Sequence, residues 1–148
     1  MDTTSLNARL GLAINTMDLA YKELVLKTGL SESVYWTLYM LWSSPVPLTA
    51  TQLSKYGGQC KQTVSSALHR IRHDGFVCQD SPRSPISLSR DGRIFCDRIF
   101  APALHLELSV LEKMGEEKAE TFVSLFSQYV SIFESRMKQP EPAERSHT

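Results

Sequence analysis

The sequence predicts a mainly α-helical fold with one small β-hairpin between the fourth and fifth helices. Over most of the 148 residues, apolar side chains recur every three or four positions, which is the spacing of a helix face. Cap residues, glycines and prolines divide this pattern into six helices. Only residues 76–88 break it, with two short β-favouring runs on either side of a loop that carries two prolines.

The first two helices are expected to follow directly on each other. The first should end near Gly29, and its apolar positions recur at helical steps along one face: Leu6, Leu10, Ile14, Met17, Tyr21 and Leu24. Ser31 is a favourable N-cap for the second helix, and Glu32 suits the positive end of the helix dipole. The second helix should end before Pro45.

The third and fourth helices are both short and have clear boundaries. Thr49 and Gln52 have the T-x-x-Q spacing of a capping box, which marks the start of the third helix. The glycines at 57 and 58 should end it. The fourth helix is expected to run from about Cys60 to Asp74 and to close on Gly75 at a C′ position.

The hairpin and two long helices complete the predicted order. Residues 76–78 and 86–88 are the expected strands, and Ser89 can cap the fifth helix. Pro102 should kink or break that helix, since proline removes a hydrogen bond in a helix interior. Gly115 separates it from the sixth, whose apolar face is formed by Phe122, Phe126, Tyr129 and Phe133. Residues 139–148 contain two prolines and no apolar periodicity, so we expect a disordered tail.

The fourth helix has two contrasting faces. Val64, Ala67, Leu68 and Ile71 form an apolar face that should pack on the second and third helices. The opposite face carries small or hydrogen-bonding side chains flanked by cations: Gln62, Ser65, Ser66, His69 and His73, with Lys61, Arg70 and Arg72. Small residues permit close approach, and glutamine, serine and histidine can read base edges in a major groove. The pattern favours a DNA-binding helix.

The charge distribution supports the same interpretation. Sixteen basic and sixteen acidic residues cancel over the whole chain. However, the 41 residues between Glu32 and Asp74 contain no carboxylate, and residues 48–93 carry seven Lys and Arg against three Asp. This central segment is therefore positive by four charges, and the rest of the chain is negative by four.

A short helix, a glycine turn and a second helix with a polar outer face form a helix-turn-helix. The hairpin that follows makes the arrangement a winged helix, in which Arg83 of the inter-strand loop could reach a minor groove or a phosphate. This part of the sequence resembles the MarR family of bacterial transcription regulators. The likeness lies in LTATQLSKYGGQCKQTVSSALHRIRHDGFV at 48–77, with its K-x-T-V-S core and final D-G-F-V, and in ISLSRDGR at 86–93.

The resemblance implies a single domain over residues 1–138. Residues 31–93 would form the winged helix-turn-helix, and helices within 4–29 and 98–138 would pack on a partner to form a homodimer. Those helices also carry more apolar surface than one small domain can cover, which independently favours a two-fold dimer. The expected function is sequence-specific binding to a pseudo-palindromic DNA operator, as a cytoplasmic repressor that a small effector relieves.

The candidate site residues fall into three groups. Base-edge contacts are expected from Gln62, Ser65, Ser66 and His69, and phosphate or minor-groove contacts from Lys61, Thr63, Arg70, Arg72 and Arg83. The effector would lie among residues that the resemblance places on helices one, two and five: Tyr21, Trp36, Met40 and His105. The family's wing usually carries an acidic residue and paired arginines, whereas this loop offers only Asp80 and Arg83.

Other functions are less favoured. The chain has no H-E-x-x-H, P-loop, G-x-G-x-x-G or C-x-x-C motif, so we expect neither an enzyme nor a cofactor. His69 and His73 have a spacing that can bind one metal ion, but neighbouring arginines would repel the ion. Cys60 beside Lys61 could be a redox-sensing thiol. A winged-helix module that binds a protein instead of DNA is the remaining alternative.

Overall fold

The computed structural model describes residues 2–138 and has the predicted mainly helical fold with one hairpin. Six helices and two strands follow in the predicted order: α1 (Thr3–Thr28), α2 (Glu32–Ser43), α3 (Ala50–Gly57), α4 (Lys61–His73), β1 (Val77–Cys78), β2 (Ser87–Leu88), α5 (Arg90–Met114) and α6 (Glu116–Met137). The tail predicted for residues 139–148 lies outside the described residues.

The predicted helix boundaries are confirmed by their caps. The Ser31 side chain accepts a hydrogen bond from the Val34 amide at the start of α2. At the start of α3, Thr49 and Gln52 make both hydrogen bonds of a capping box. Gly58 ends α3 in the left-handed region at φ 63°, a conformation that favours glycine.

Two apolar clusters hold α4 in place. Its inner face, Val64, Ala67, Leu68 and Ile71, is buried as predicted. One cluster joins Ala67 and Ile71 to Tyr35, Cys96 and Phe100, and the other joins Val64 and Leu68 to Leu41, Leu53 and Ile86. Burying one face in this way leaves the opposite face of α4 outward.

The hairpin, here called the wing (residues 77–88), is small. Val77 pairs with Leu88 and Cys78 with Ser87 in antiparallel register, and Ile86 forms a further bridge with Leu48. Because successive strand residues face opposite sides, Val77 packs on the core while Cys78 is exposed. The apolar neighbours of Cys78 in the sequence would suggest a core position, but the alternation of the strand exposes it.

The fifth helix is continuous through Pro102. Ser89 precedes the helix, donating from its hydroxyl to the Gly75 carbonyl and accepting from the Gly92 amide. A kink or a break was predicted at Pro102, and the helix continues through it to Met114, so it is not broken there. Pro102 is exposed, so its ring meets solvent instead of a packed neighbour.

The chain divides into two compact units, one ending at Ala103 and one beginning at Leu104. In the first unit, α1 has a single buried residue, Val25, and leaves large apolar side chains such as Leu12 and Met17 exposed. In the second unit, α6 has no buried residue. Within residues 2–138, no helix combines the length and apolar character that crossing a membrane requires.

Candidate nucleic-acid interface

The outer face of α4 brings together most of the predicted DNA-contacting residues. Gln62, Ser65, Ser66 and His69 are all exposed, and their spacing of i, i+3, i+4 and i+7 puts them on one face. Thirteen residues at about 1.5 Å each give a helix of roughly 20 Å, and a major groove about 12 Å wide admits a helix. The surface is polar, free of carboxylates and long enough to lie along several base pairs.

The start of α4 is held by contacts within the turn that precedes it. The Ser54 hydroxyl donates to the Gln59 carbonyl at 2.6 Å, which fixes the end of α3 against the turn. Cys60 is the N-cap, and its side chain makes no capping hydrogen bond. Its sulfur lies 3.0 Å from the hydroxyl of Thr63, and this contact lowers the pKa of the exposed Cys60 thiol. Lys61 is exposed at this terminus.

The end of α4 carries an ion-pair cluster around Asp74. Arg70 Nε donates to Asp74 Oδ2 at 3.0 Å, and His73 Nδ1 lies 3.3 Å from Oδ1 of the same carboxylate. The hydrogen bond from Arg70, followed by that from His73, lowers the pKa of Asp74. Arg70 is therefore paired within the protein, a contact that the sequence pattern did not predict.

The wing places Arg83 in a tight turn. Residues 81–84 are Ser-Pro-Arg-Ser, and the Ser84 amide donates to the Ser81 carbonyl at 3.1 Å across them. Proline suits the second position of such a turn because its φ is already set. Arg83 is exposed beside it. Arg72 extends from α4 to the wing, where its Nη2 donates to Gln79 Oε1 at 2.5 Å.

Three of the four predicted effector residues, Tyr21, Trp36 and Met40, lie in the first unit. The rings of Tyr21 and Trp36 lie 6.0 Å apart, which joins α1 to α2. Met40 is half-buried one turn further along α2 and packs on the cluster that contains Leu41. His105 belongs to the second unit, where it is exposed. The part of α5 beyond Ala103 has no buried residue. The leucines at 104, 106 and 108 would suggest a buried histidine between them, but these leucines are exposed as well in the single chain.

A groove of about 460 Å³, here called the Trp36 groove, lies between the start of α2 and the turn that leads into α4. It is lined by Glu32, Ser33, Trp36, Gly57, Gly58, Gln59 and Thr63. Trp36 and Thr63 were both predicted site residues, but from separate groups. Sequence spacing did not connect them, because the two residues come together only when α2 packs on α4.

The other candidate sites are a metal ion and the cysteines besides Cys60. Across residues 2–138, no three His, Cys, Asp or Glu side chains are grouped to hold a metal ion. His73 Nδ1 faces the Asp74 carboxylate. Burial raises the pKa of the Cys96 thiol to about 12, so this cysteine is unreactive at neutral pH.

No protein-family model matches the sequence, and no curated protein matches it either. Solved structures do resemble it closely. The MarR family regulator NMB1585 from Neisseria meningitidis superimposes with a TM-score of 0.73 at 17% identity, covering 88% of this chain and 94% of that one. The transcriptional regulator PA3341 gives a TM-score of 0.72 at 19% identity, covering 85% of this chain and 98% of that one.

A third similar structure was solved with a ligand. NadR in complex with 4-hydroxyphenylacetate has a TM-score of 0.69 at 16% identity and covers 88% of this chain and 98% of that one. At these identities the likeness establishes the fold. The chain has the winged-helix fold of MarR family regulators, with long helices on both sides of it, as the sequence resemblance predicted.

Proposed function

We propose that this protein is a cytoplasmic, homodimeric transcription regulator that binds DNA in a sequence-specific manner. The outer face of α4 carries this proposal. It is exposed, contains no carboxylate and presents hydrogen-bonding side chains on a helix whose other face is locked into the core. An ordinary solvated helix face usually mixes both signs of charge, whereas this one fits a polyanion.

The proposed contacts divide between reading bases and holding the backbone. Gln62, Ser65, Ser66 and His69 would meet base edges, since they share the centre of the exposed face. Backbone or minor-groove contact would come from residues at the ends of α4 and in the wing, namely Lys61, Thr63, Arg70, Arg72 and Arg83. Lys61, which is unfavourable at the start of an isolated helix, becomes favourable when a phosphate lies there.

The homodimer is proposed from the apolar surface of the long helices. On α6, Phe122, Phe126, Tyr129 and Phe133 are between 40 and 54% exposed and stack successively along one face. Such a surface requires a partner in water. A two-fold dimer covers it with identical surfaces and presents two α4 helices, so the operator would be a pseudo-palindrome with half-sites about 10 bp apart.

Regulation would depend on whether the dimer is bound to DNA and whether an effector is bound to the dimer. A dimer bound over a promoter blocks it, so the proposed action is repression. An effector would relieve repression by favouring a dimer whose α4 helices are wrongly spaced. The Trp36 groove is where we place the effector, because it touches both α2 and Thr63 of α4. NadR, which has the same fold, binds a small aromatic acid.

One alternative has a specific observation in its favour. The wing is short, with two pairs of strand residues, and a reduced wing would suit a winged-helix module that binds a protein partner instead of DNA. The salt dependence of binding distinguishes the two functions. Binding to DNA weakens steeply as salt rises, because each phosphate contact releases counterions, whereas contact with a protein need not show such a slope.

Selection of bound duplexes from a random library, at two salt concentrations, tests the proposal. The wild-type protein should enrich an inverted repeat, and an Arg70→Ala, Arg83→Ala double variant should enrich it less. Enrichment of a sequence without two-fold symmetry would contradict the dimeric regulator. Failure to enrich any sequence at low salt, by a protein that is dimeric in solution, would favour the protein-binding alternative.

A further inference from the structure

A chain of hydrogen bonds runs from the end of α4 to the turn of the wing. Arg72 Nη2 donates to Gln79 Oε1 at 2.5 Å, and Gln79 Nε2 donates to the Ser84 carbonyl at 2.6 Å. The Gln79 amide therefore uses its acceptor toward the helix and its donor toward the turn. We call this three-residue connection the wing strut.

Ser84 is also the residue that closes the turn. Its hydroxyl accepts from the Ser81 amide at 2.7 Å and donates to the Ser81 carbonyl at 2.8 Å. Arg83 lies between these two serines. The strut thus ends on the residue that sets the shape of the turn, and Arg83 is held relative to α4 through it.

The strands alone are a weak support for this turn. β1 and β2 form two residue pairs, and short two-stranded hairpins are marginally stable in water. The loop between them runs from Gln79 to Pro85 and is exposed at Ser81, Pro82 and Arg83. The Leu48–Ile86 bridge anchors only the end of this loop, so the strut supplies the connection to α4 that can hold Arg83 in one place.

The hydrogen-bond acceptor of Arg72 in the strut is a neutral amide oxygen, so the positive charge of Arg72 is not compensated there. Arg70 is paired with the carboxylate of Asp74, so part of its charge is compensated within the protein. Arg72 instead donates to an amide oxygen, and no carboxylate lies within ion-pair distance of it among the described residues. The strut therefore orders the wing without cancelling positive charge beside the expected DNA backbone.

We propose that Arg72 and Gln79 are positioning residues, which hold Arg83 at a set distance from α4 so that the wing and the helix engage the same duplex. This inference rests on the proposed function, because it assigns these residues a part in DNA binding. It gives Arg72 a positioning role in addition to the backbone contact proposed for it above. It also brings in Gln79, which the sequence pattern alone did not single out.

The strut itself can be tested without DNA. Amide order parameters and hydrogen exchange of residues 80–85 would be compared between wild type, Gln79→Met and the control Gln128→Met, a similar change on an exposed position of α6. We expect faster exchange and lower order at Ser81 and Ser84 in Gln79→Met alone, with the amides of α4 unchanged. Unchanged order in the wing would overturn the proposal.

The effect on binding is tested with the duplex that the selection enriches. Gln79→Met should weaken binding about three- to tenfold, since the wing must then be ordered on binding. The slope of affinity against salt should stay as in the wild type, because the wing, once ordered, still makes the Arg83 contact and no charge is removed. In an Arg83→Ala background, Gln79→Met should have no further effect.

The outcomes separate the two proposals. If Arg72→Met weakens binding while Gln79→Met does not, Arg72 is a direct phosphate contact and the positioning role is wrong. If the wild-type protein fails to bind any duplex, the proposed function is wrong, and the order of residues 80–85 still decides whether the strut holds the wing.

Discussion

Gly92 in the first turn of α5 faces the backbone carbonyl of Phe76 so closely that a Cβ at position 92 would lie 1.9 Å from the carbonyl oxygen. The contact joins α5 to the start of the wing. Ser89 reinforces it, since its amide donates to the same Phe76 carbonyl at 2.9 Å. The glycine therefore sets how near the wing lies to the helix that follows it.

Gly92→Ala should lower the free energy of unfolding by about 3 kcal/mol or more, because a backbone carbonyl cannot move aside as a flexible side chain can. Gly11→Ala is the matched control: it is also a helical glycine, and an added Cβ there meets no atom within 4 Å. That change should instead stabilise the protein by about 0.5–1 kcal/mol. Chemical denaturation at a fixed protein concentration measures both; equal effects would refute the contact.

Asp74→Asn should strengthen DNA binding about three- to tenfold at low salt, because it removes a carboxylate and leaves Arg70 unpaired beside the expected phosphates. The salt slope should steepen in the same variant. Fluorescence anisotropy titrations at several salt concentrations measure both quantities. Weaker binding by the variant would mean that Arg70 needs Asp74 to hold its position.

The same ion pair predicts a pH dependence of stability. Because Arg70 and His73 lower the pKa of Asp74, the pair stabilises the fold above the ordinary aspartate pKa of about 4. That stabilisation is lost as the pH falls through the lowered value. Wild type should therefore melt above Asp74→Asn at pH 7, and the difference should disappear at strongly acid pH. A difference that persists there would contradict the assignment.

Cys60 should react with iodoacetamide at a lower pH than an ordinary thiol, because the Thr63 hydroxyl lowers its pKa. Thr63→Val should move the pH profile of labelling upward, and Thr63→Ser, which keeps the hydroxyl, should not. Buried Cys96 is the internal control and should remain unlabelled in the native protein. Mass spectrometry of the labelled peptides measures the labelling of Cys60 and Cys96 in the wild type and in both variants. Equal profiles for Thr63→Val and Thr63→Ser would exclude the hydroxyl as the cause.

Phe126→Asp should convert the proposed dimer to a monomer, since it puts a charge in the centre of the aromatic face of α6. Gln128→Asp is the control, because it adds the same charge two positions away on the polar side of that helix. Sedimentation velocity distinguishes one chain from two. A Phe126→Asp protein that remains dimeric would show that α6 is not the principal interface.

Much of the fold could be predicted from local chemistry. The capping box of Thr49 and Gln52, the Ser31 cap and the glycine at 58 each act within one turn of the chain, so their effects are readable from neighbouring residues. The buried face of α4 was predictable for a similar reason, because helical periodicity decides which side chains share a face.

Contacts between distant segments could not be predicted. The Arg72 to Gln79 hydrogen bond needs the wing to fold back on α4, and the Trp36 groove needs α2 beside the turn before α4. Whether α5 would be broken at Pro102 could not be decided from the sequence either. Proline removes one hydrogen bond at that point, but the helical residues on both sides of it keep α5 unbroken in sequence.

The most direct test of the central claim is the affinity of a Ser65→Glu protein for the duplex that the wild type selects. If the outer face of α4 lies in the major groove, a carboxylate at its centre should weaken binding about a hundredfold, while Ser131→Glu on the polar side of α6 should have no effect. Ser65 is exposed, so both variants should melt like the wild type. Equal affinities for the two variants would show that this face of α4 does not read DNA.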